Sequence, residues 1–140
     1  MALISLVYVS YATQEMSGEE LKDLLEVCRR NNKPLNVTGM LLYRDGYFIQ
    51  ALEGEEETVM DLYETIVKDP RHDRVLTVYK GEIVNRAFTD WSMGFRNLED
   101  VDFSEYPEYT DFSQFSPEYF SNNPSRAKSL LKTFKDQTYY

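Results

Sequence analysis

The sequence predicts an α+β domain of the ferredoxin-like kind. It reads as a βαββαββ chain with a five-stranded mixed sheet, two helices on one face and a C-terminal helical segment covering the other. Three observations carry this. Two stretches with helical apolar spacing interrupt β-prone stretches, so the first six elements follow the split βαβ pattern. An Asp45-Gly46 pair separates two of the strands, where a tight hairpin needs residues that tolerate positive φ. Both helices fall on one face of such a sheet, so the other face needs cover, and a late amphipathic stretch can supply it.

The first strand is Ile4–Ser10. Ile4, Leu6 and Tyr8 share one face, with Leu3, Val7 and Val9 completing a nearly unbroken apolar run. A strand apolar on both faces belongs in the middle of its sheet. Ser17-Gly-Glu-Glu20 is a capping box, in which the Ser17 hydroxyl caps the helix start and Glu20 reaches back. Leu21, Leu24, Leu25 and Cys28 follow at helical spacing up to Asn31-Asn32. Val37–Tyr43 and Tyr47–Leu52 form the hairpin strands, with Gly54 expected to break the second. Glu55, Glu56 and Glu57 suit a helix N-terminus, where the backbone dipole favours anions. Val59, Leu62, Tyr63, Ile66 and Val67 give that helix its apolar stripe, and Asp69-Pro70 ends it. Arg74–Val84 is the fourth strand and Trp91–Phe95 the fifth.

Residues 1–98 are expected to form the main domain and 99–140 an extension packing on it. From Glu99 to Asn123 the chain is acidic, rich in Tyr and Phe, and interrupted by Pro107 and Pro117. Ser116-Pro117-Glu118 suits a short helical turn with Pro at its first position. A last helix is expected from about Asn123-Pro124, with Ala127, Leu130, Leu131 and Phe134 on one side.

Composition narrows the function. With 140 residues, 42% of them hydrophobic, the chain can close a core. Its formal net charge of −9 removes a chain-wide electrostatic case for nucleic acid or an anionic membrane surface. The lone Cys28 excludes an internal disulfide and points to a reducing cytoplasm. No apolar run is long enough to span a bilayer. The single histidine, His72, would have to serve any nucleophile–His–acid set, and no spaced metal motif or glycine-rich phosphate loop is present. No catalytic residues and no metal site are expected.

Some polar residues stand where apolar ones belong. Gln50 alternates with Phe48 and Leu52, and Tyr8 with Ile4 and Leu6. The split βαβ order makes the first and third strands central neighbours, so Tyr8 and Gln50 can meet on the helix-covered face. Buried, each needs hydrogen-bond partners. Asn31 and Asn32 end the first helix beside that face. Polar groups around an apolar slot suit a flat, amphipathic heterocycle. Taken singly, each residue has an ordinary explanation: a solvent-facing amide, a core phenol, a helix-end cap. A ligand-sensing module for some other small molecule would look much the same. An acylphosphatase-like hydrolase on this fold would need a cationic loop after the first strand, and Tyr11-Ala-Thr-Gln-Glu-Met16 has an acid and no base.

The joint pattern is more specific. Tyr8-Val-Ser10, Asn31-Asn32, Val37-Thr-Gly-Met-Leu-Leu-Tyr43, Phe48-Ile-Gln-Ala-Leu-Glu-Gly54, Asp69-Pro-Arg-His72 and Trp91-Ser-Met93 occur in the order and spacing of BLUF domains, the blue-light sensors using flavin. The chain from about Leu3 to Leu98 resembles that family, and the remainder resembles the variable extension of its short, stand-alone members. Val37 replaces a frequent Ile, and the aromatic C-terminal region matches no family motif. The resemblance implies a blue-light photoreceptor, not an enzyme, with a flavin held non-covalently between the two helices: FAD as first choice, FMN as the alternative. It assigns Tyr8 as the light-active tyrosine and Gln50 as the switching glutamine. Asn31 and Asn32 would bond the polar edge of the flavin ring, and Leu24, Leu25, Phe48 and Ile66 would line it. Asp69, Arg71 and His72 would sit near the flavin's far end. Trp91 and Met93 would carry the signal along the fifth strand to the C-terminal segment and on to a separate effector protein, or to a second copy of the chain.

Overall fold

The computed structural model describes residues 2–89, 92–98, 101 and 116–135. Its elements are β1 (Leu3–Ala12), α1 (Gly18–Asn32), β2 (Thr38–Arg44), β3 (Tyr47–Glu55), α2 (Glu56–Lys68), β4 (His72–Glu82), β5 (Gly94–Asn97), α3 (Pro117–Asn122) and α4 (Pro124–Lys135). The five strands form one sheet in the order β4-β1-β3-β2-β5. All neighbours are antiparallel except β2 and β5. The α+β, ferredoxin-like reading is therefore the observed fold, with β1 and β3 at its centre.

The local signals act as their chemistry requires. Ser17 accepts from the Glu20 backbone N–H while the Glu20 carboxylate accepts from the Ser17 N–H, closing the capping box. Asp45 (φ +48) and Gly46 (φ +84) both take positive φ in the β2–β3 turn, as a hairpin matched to strand twist demands. The Ser116 side chain caps α3, with Pro117 at its first position.

Two cores lie on opposite faces of the sheet. One joins Ile4, Leu6, Tyr8, Phe48 and Leu52 to Leu21, Leu24 and Leu25 of α1 and Val59 of α2. The other joins Val7, Val9, Ile49 and Ala51 to Phe120 of α3 and to Ala127, Leu130, Leu131 and Phe134 of α4. Alternation along β1 and β3 thus feeds both cores. Phe120 and Phe134 are fully buried, so the C-terminal helices do cover the second face.

Four expectations shift. Gly54 does not break β3; it pairs with Ile4 and the strand runs to Glu55. A Cβ there would sit 3.2 Å from Val59 Cγ2 and 3.4 Å from Val37 Cγ2, so the glycine lets α2 close onto the sheet. Secondly, β4 runs His72–Glu82: Ala12 pairs with His72 and extends the ladder, while Val84 lies beyond the strand and is 91% exposed. Thirdly, β5 starts at Gly94 instead of Trp91. The Ser92 and Met93 carbonyls accept from Asn32 Nδ2 and Arg29 Nε of α1, so they bond a helix and not β2. Lastly, Val67 is 48% exposed, because the inward stripe of α2 ends at Ile66. Among the described residues no helix is long and apolar enough to cross a membrane.

Candidate functional site

The site grows out of the β1–β3 register. Tyr8 pairs directly with Gln50, and both project to the face that α1 and α2 cover. The Tyr8 hydroxyl donates to Gln50 Oε1, and Gln50 Nε2 donates to Met93 Sδ at 3.3 Å. Tyr8 is 1% exposed, Gln50 3% and Met93 fully buried. A buried amide leaving either group unpaired would cost about 1–3 kcal/mol, and this chain of contacts supplies both partners. Burial, then the neighbouring Cys28 sulfur, Tyr63 and Asp69, push the Tyr8 phenol well above its ordinary pKa.

This pair walls one side of a cleft between α1 and α2. Leu24, Val27, Leu41, Leu52, Leu62 and Ile66 give it apolar walls, and Asn31, Asn32, Asp69, Arg71 and His72 add polar groups. The space between its atoms is about 590 Å³ with its open mouth included. α1 follows β1 and α2 follows the antiparallel β3, so the helices run in opposite directions. Their C-terminal ends, carrying Asn31-Asn32 and Asp69–His72, therefore lie at opposite ends of the cleft.

The loop end is tightly built. Asp69 accepts from Arg71 Nε at 3.0 Å and from Arg71 NH2 at 2.7 Å, and from the Arg71 backbone N–H at 2.9 Å. The side-chain bonds to Arg71 hold the Asp69 carboxyl below its usual range. His72 packs its ring 5.2 Å from Phe48 and 6.1 Å from Tyr8, and shares a 2.8 Å hydrogen bond from Nδ1 with Ser10 Oγ. Burial lowers its pKa below the ordinary 6.5, so the ring is neutral at pH 7.

The structure therefore gathers Tyr8, Leu24, Asn31, Asn32, Gln50, Ile66, Asp69, Arg71 and His72 around one cleft. Leu25 and Phe48 are buried in the same core but do not line the cleft; Phe48 packs against His72, which does. Met93 lies under Gln50. Trp91 lies outside the described residues.

A family model, described as sensors of blue light using FAD (BLUF), matches residues 3–94. The chain belongs to the BLUF family. It is 40% identical over 92 residues to photoactivated adenylate cyclase subunit beta of Euglena longa, covering 65% of this chain and 11% of that one. It thus spans about a tenth of that relative's length. Among solved structures, a bacterial light-regulated adenylyl cyclase matches 94% of this chain and 39% of its own, at 31% identity and a TM-score of 0.77. The dark-state structure of BlrB, a BLUF protein, matches 91% of this chain and 97% of its own, at 28% identity and a TM-score of 0.72. The family is one of blue-light sensors that use flavin, and its model covers about two thirds of this chain.

The BLUF cleft also uses residues that sequence reasoning passed over. Val27, Cys28, Leu62 and Thr65 line it. A signal was there: Leu24, Cys28 and Asn31 are spaced i, i+4, i+7 and so share one side of α1. Burial raises the Cys28 thiol to about 11, which leaves it protonated and unreactive at neutral pH. Arg29 was also missed, and its bond to the Met93 carbonyl leaves no trace in local sequence.

Proposed function

We propose that this BLUF domain is a photoreceptor in which Tyr8 is the electron and proton donor and Gln50 is the switch. The observation that carries the proposal is the buried chain from the Tyr8 hydroxyl through the Gln50 amide to Met93 on the cleft wall. Asn31 and Asn32 bind the polar edge of the ring, Leu24 and Ile66 hold its faces, and Asp69, Arg71 and His72 serve the far end of the cofactor. FAD is the cofactor we favour, since the Arg71 guanidinium and the loop end offer contacts beyond a ring. The donor set fits: an apolar cleft with amide groups at one end and the paired Asp69 and Arg71 side chains with His72 at the other.

Flavin, when bound, supplies a ring that absorbs blue light and accepts an electron in its excited state. With flavin bound, Tyr8 would supply an electron to the excited ring and its phenolic proton to Gln50 Oε1. Gln50 Oε1 would take that proton while the amide NH2 group released one to the bound ring, because an amide carries both donor and acceptor atoms. Rotation or tautomerisation of Gln50 would then exchange its bonds to Tyr8 and Met93 for others. The Tyr8 environment keeps the proton on the phenol in the dark. Residues 1–98 form the photosensor. The fifth-strand region, with Trp91 and Met93, then biases the segment from 99 to 140, which carries the signal to a separate effector protein.

The deciding experiment is an absorption spectrum of the flavin-loaded chain before and after blue light. A reversible red shift is expected. A spectrum unmoved by light would remove the photoreceptor reading and leave a flavin-binding module.

A further inference from the structure

Glu53 is a carboxylate with 2% exposure, three residues from Gln50 on β3 and therefore on the opposite face of the sheet. Its two oxygens accept from the backbone N–H groups of Ala87 and Phe88, each at 2.8 Å. The Thr38 hydroxyl lies 3.5 Å from it as a weak further donor. Arg86 NH1 closes the arrangement, donating to Thr38 Oγ1 at 2.8 Å and to the Glu53 backbone carbonyl at 2.9 Å. A buried carboxylate is tolerable only when so paired.

The residues held in this way begin the connection from β4 to β5. Phe88 is buried in the core beneath α4, whereas Met93, at the end of the connection, is buried in the core beneath α1 and touches Gln50. The described residues on either side, Phe88 and Met93, therefore belong to cores on opposite faces of the sheet. Its near end is fixed to β3 through Glu53, and its far end to α1 through Arg29 and Asn32. Gln50 and Glu53 sit on one rigid strand and grip the two ends of one segment.

We infer that Glu53 is a positioning residue for the light switch, anchoring the chain at Ala87 and Phe88 so that Met93, five residues on from Phe88, returns to Gln50 after illumination. This rests on the Tyr8–Gln50 reading above. In the structure Gln50 Nε2 donates to Met93, and a rotated Gln50 gives up that bond. Displacing Met93 then works against the Glu53 anchor. Weakening the anchor makes the displaced arrangement less costly, so the lit state persists.

The test is Glu53→Gln in the flavin-loaded chain. The substitution keeps the shape but puts an NH2 group against one of two backbone donors. Expected are an unchanged dark spectrum, faster amide hydrogen exchange at Ala87 and Phe88, and thermal recovery from the lit state slowed about fivefold to tenfold (tenfold in rate corresponds to about 1.4 kcal/mol). Arg86→Gln spares the carboxylate and loosens the same connection, so it should slow recovery by a smaller factor. It serves as the second variant should Glu53→Gln fail to fold. Recovery at the parent rate or faster, with exchange at Ala87 and Phe88 accelerated, would reduce Glu53 to a structural clamp and overturn the inference. Unchanged exchange at those amides would overturn it too. A parent chain that binds flavin but shows no light-driven shift would instead sink the Tyr8–Gln50 reading on which this one stands.

Discussion

Tyr8 is a phenol whose hydroxyl has one acceptor, Gln50 Oε1, and whose pKa burial has raised. Tyr8→Phe keeps the ring and removes the hydroxyl, so flavin should still bind while the red-shifted lit state disappears; difference spectra under blue light check this. Gln50→Leu should behave the same way, and a normal shift in either variant would refute the assigned roles. His72 gives a pH prediction of defined sign. Its folded-state pKa lies below 6.5, so below that pH the unfolded chain binds a proton that the folded chain resists. Its contribution to stability is complete above about pH 6.5 and declines as pH falls toward the folded value. Urea midpoints measured from pH 8 to pH 5 should fall less steeply for His72→Gln than for the parent. The sequence made Tyr8 and Gln50 legible because each breaks an apolar alternation. His72 was harder to place. Its neighbours Ser10 and Phe48 come from distant strands, so a residue adjoining Asp69-Pro70 looked like part of a turn.

Elements were legible where one short signal determines them. The capping box set the start of α1, and Asp45-Gly46 set the β2–β3 hairpin. The start of β5 was not, because it depends on Asn32 and Arg29 reaching across to the Ser92 and Met93 carbonyls. Gly54 misled for a similar reason: its role is a close approach to Val59 and Val37, not a break. Gly39, in β2, is more tightly packed still, since a methyl group there would run into the Ala51 carbonyl of β3. Gly39→Ala should therefore disrupt the β2–β3 ladder and lower the thermal midpoint well beyond a surface glycine such as Gly18, around which space is open. On the second face, Phe134→Ala should cost about 3–5 kcal/mol in urea unfolding, the usual cost of deleting a fully buried phenyl ring. Flavin affinity should change little if the two cores are independent, and titration of the folded variant measures that.

For the whole molecule, a ligand that binds the folded chain alone stabilises it by mass action. Free flavin at a hundred times its dissociation constant should add about 2.7 kcal/mol, visible as a higher unfolding midpoint that rises with flavin concentration. The effect should be lost when Asn31 and Asn32 are both replaced by Leu, if those amides bind the ring. At this scale the topology was the most legible feature, because helix and strand periods alternate along the chain and only a few sheets accept that order.

The central strand has a further consequence. Burial normally pins a strand's alignment, because sliding by one residue would turn its greasy side to water. β1 has no wet side: Ile4, Leu6 and Tyr8 are buried on one face, and Val7 and Val9 on the other. Oil-and-water sorting alone would accept a slipped copy almost as readily as the correct one. The short β2–β3 turn fixes β3 only against β2. Matching β1 to β3 then falls to the few polar side chains that can tell one alignment from its neighbour, and Tyr8 with Gln50 is the foremost such pair. The photochemical couple would then double as an error check during folding, and the Phe and Leu variants should refold with a larger misaligned fraction than their equilibrium stability suggests.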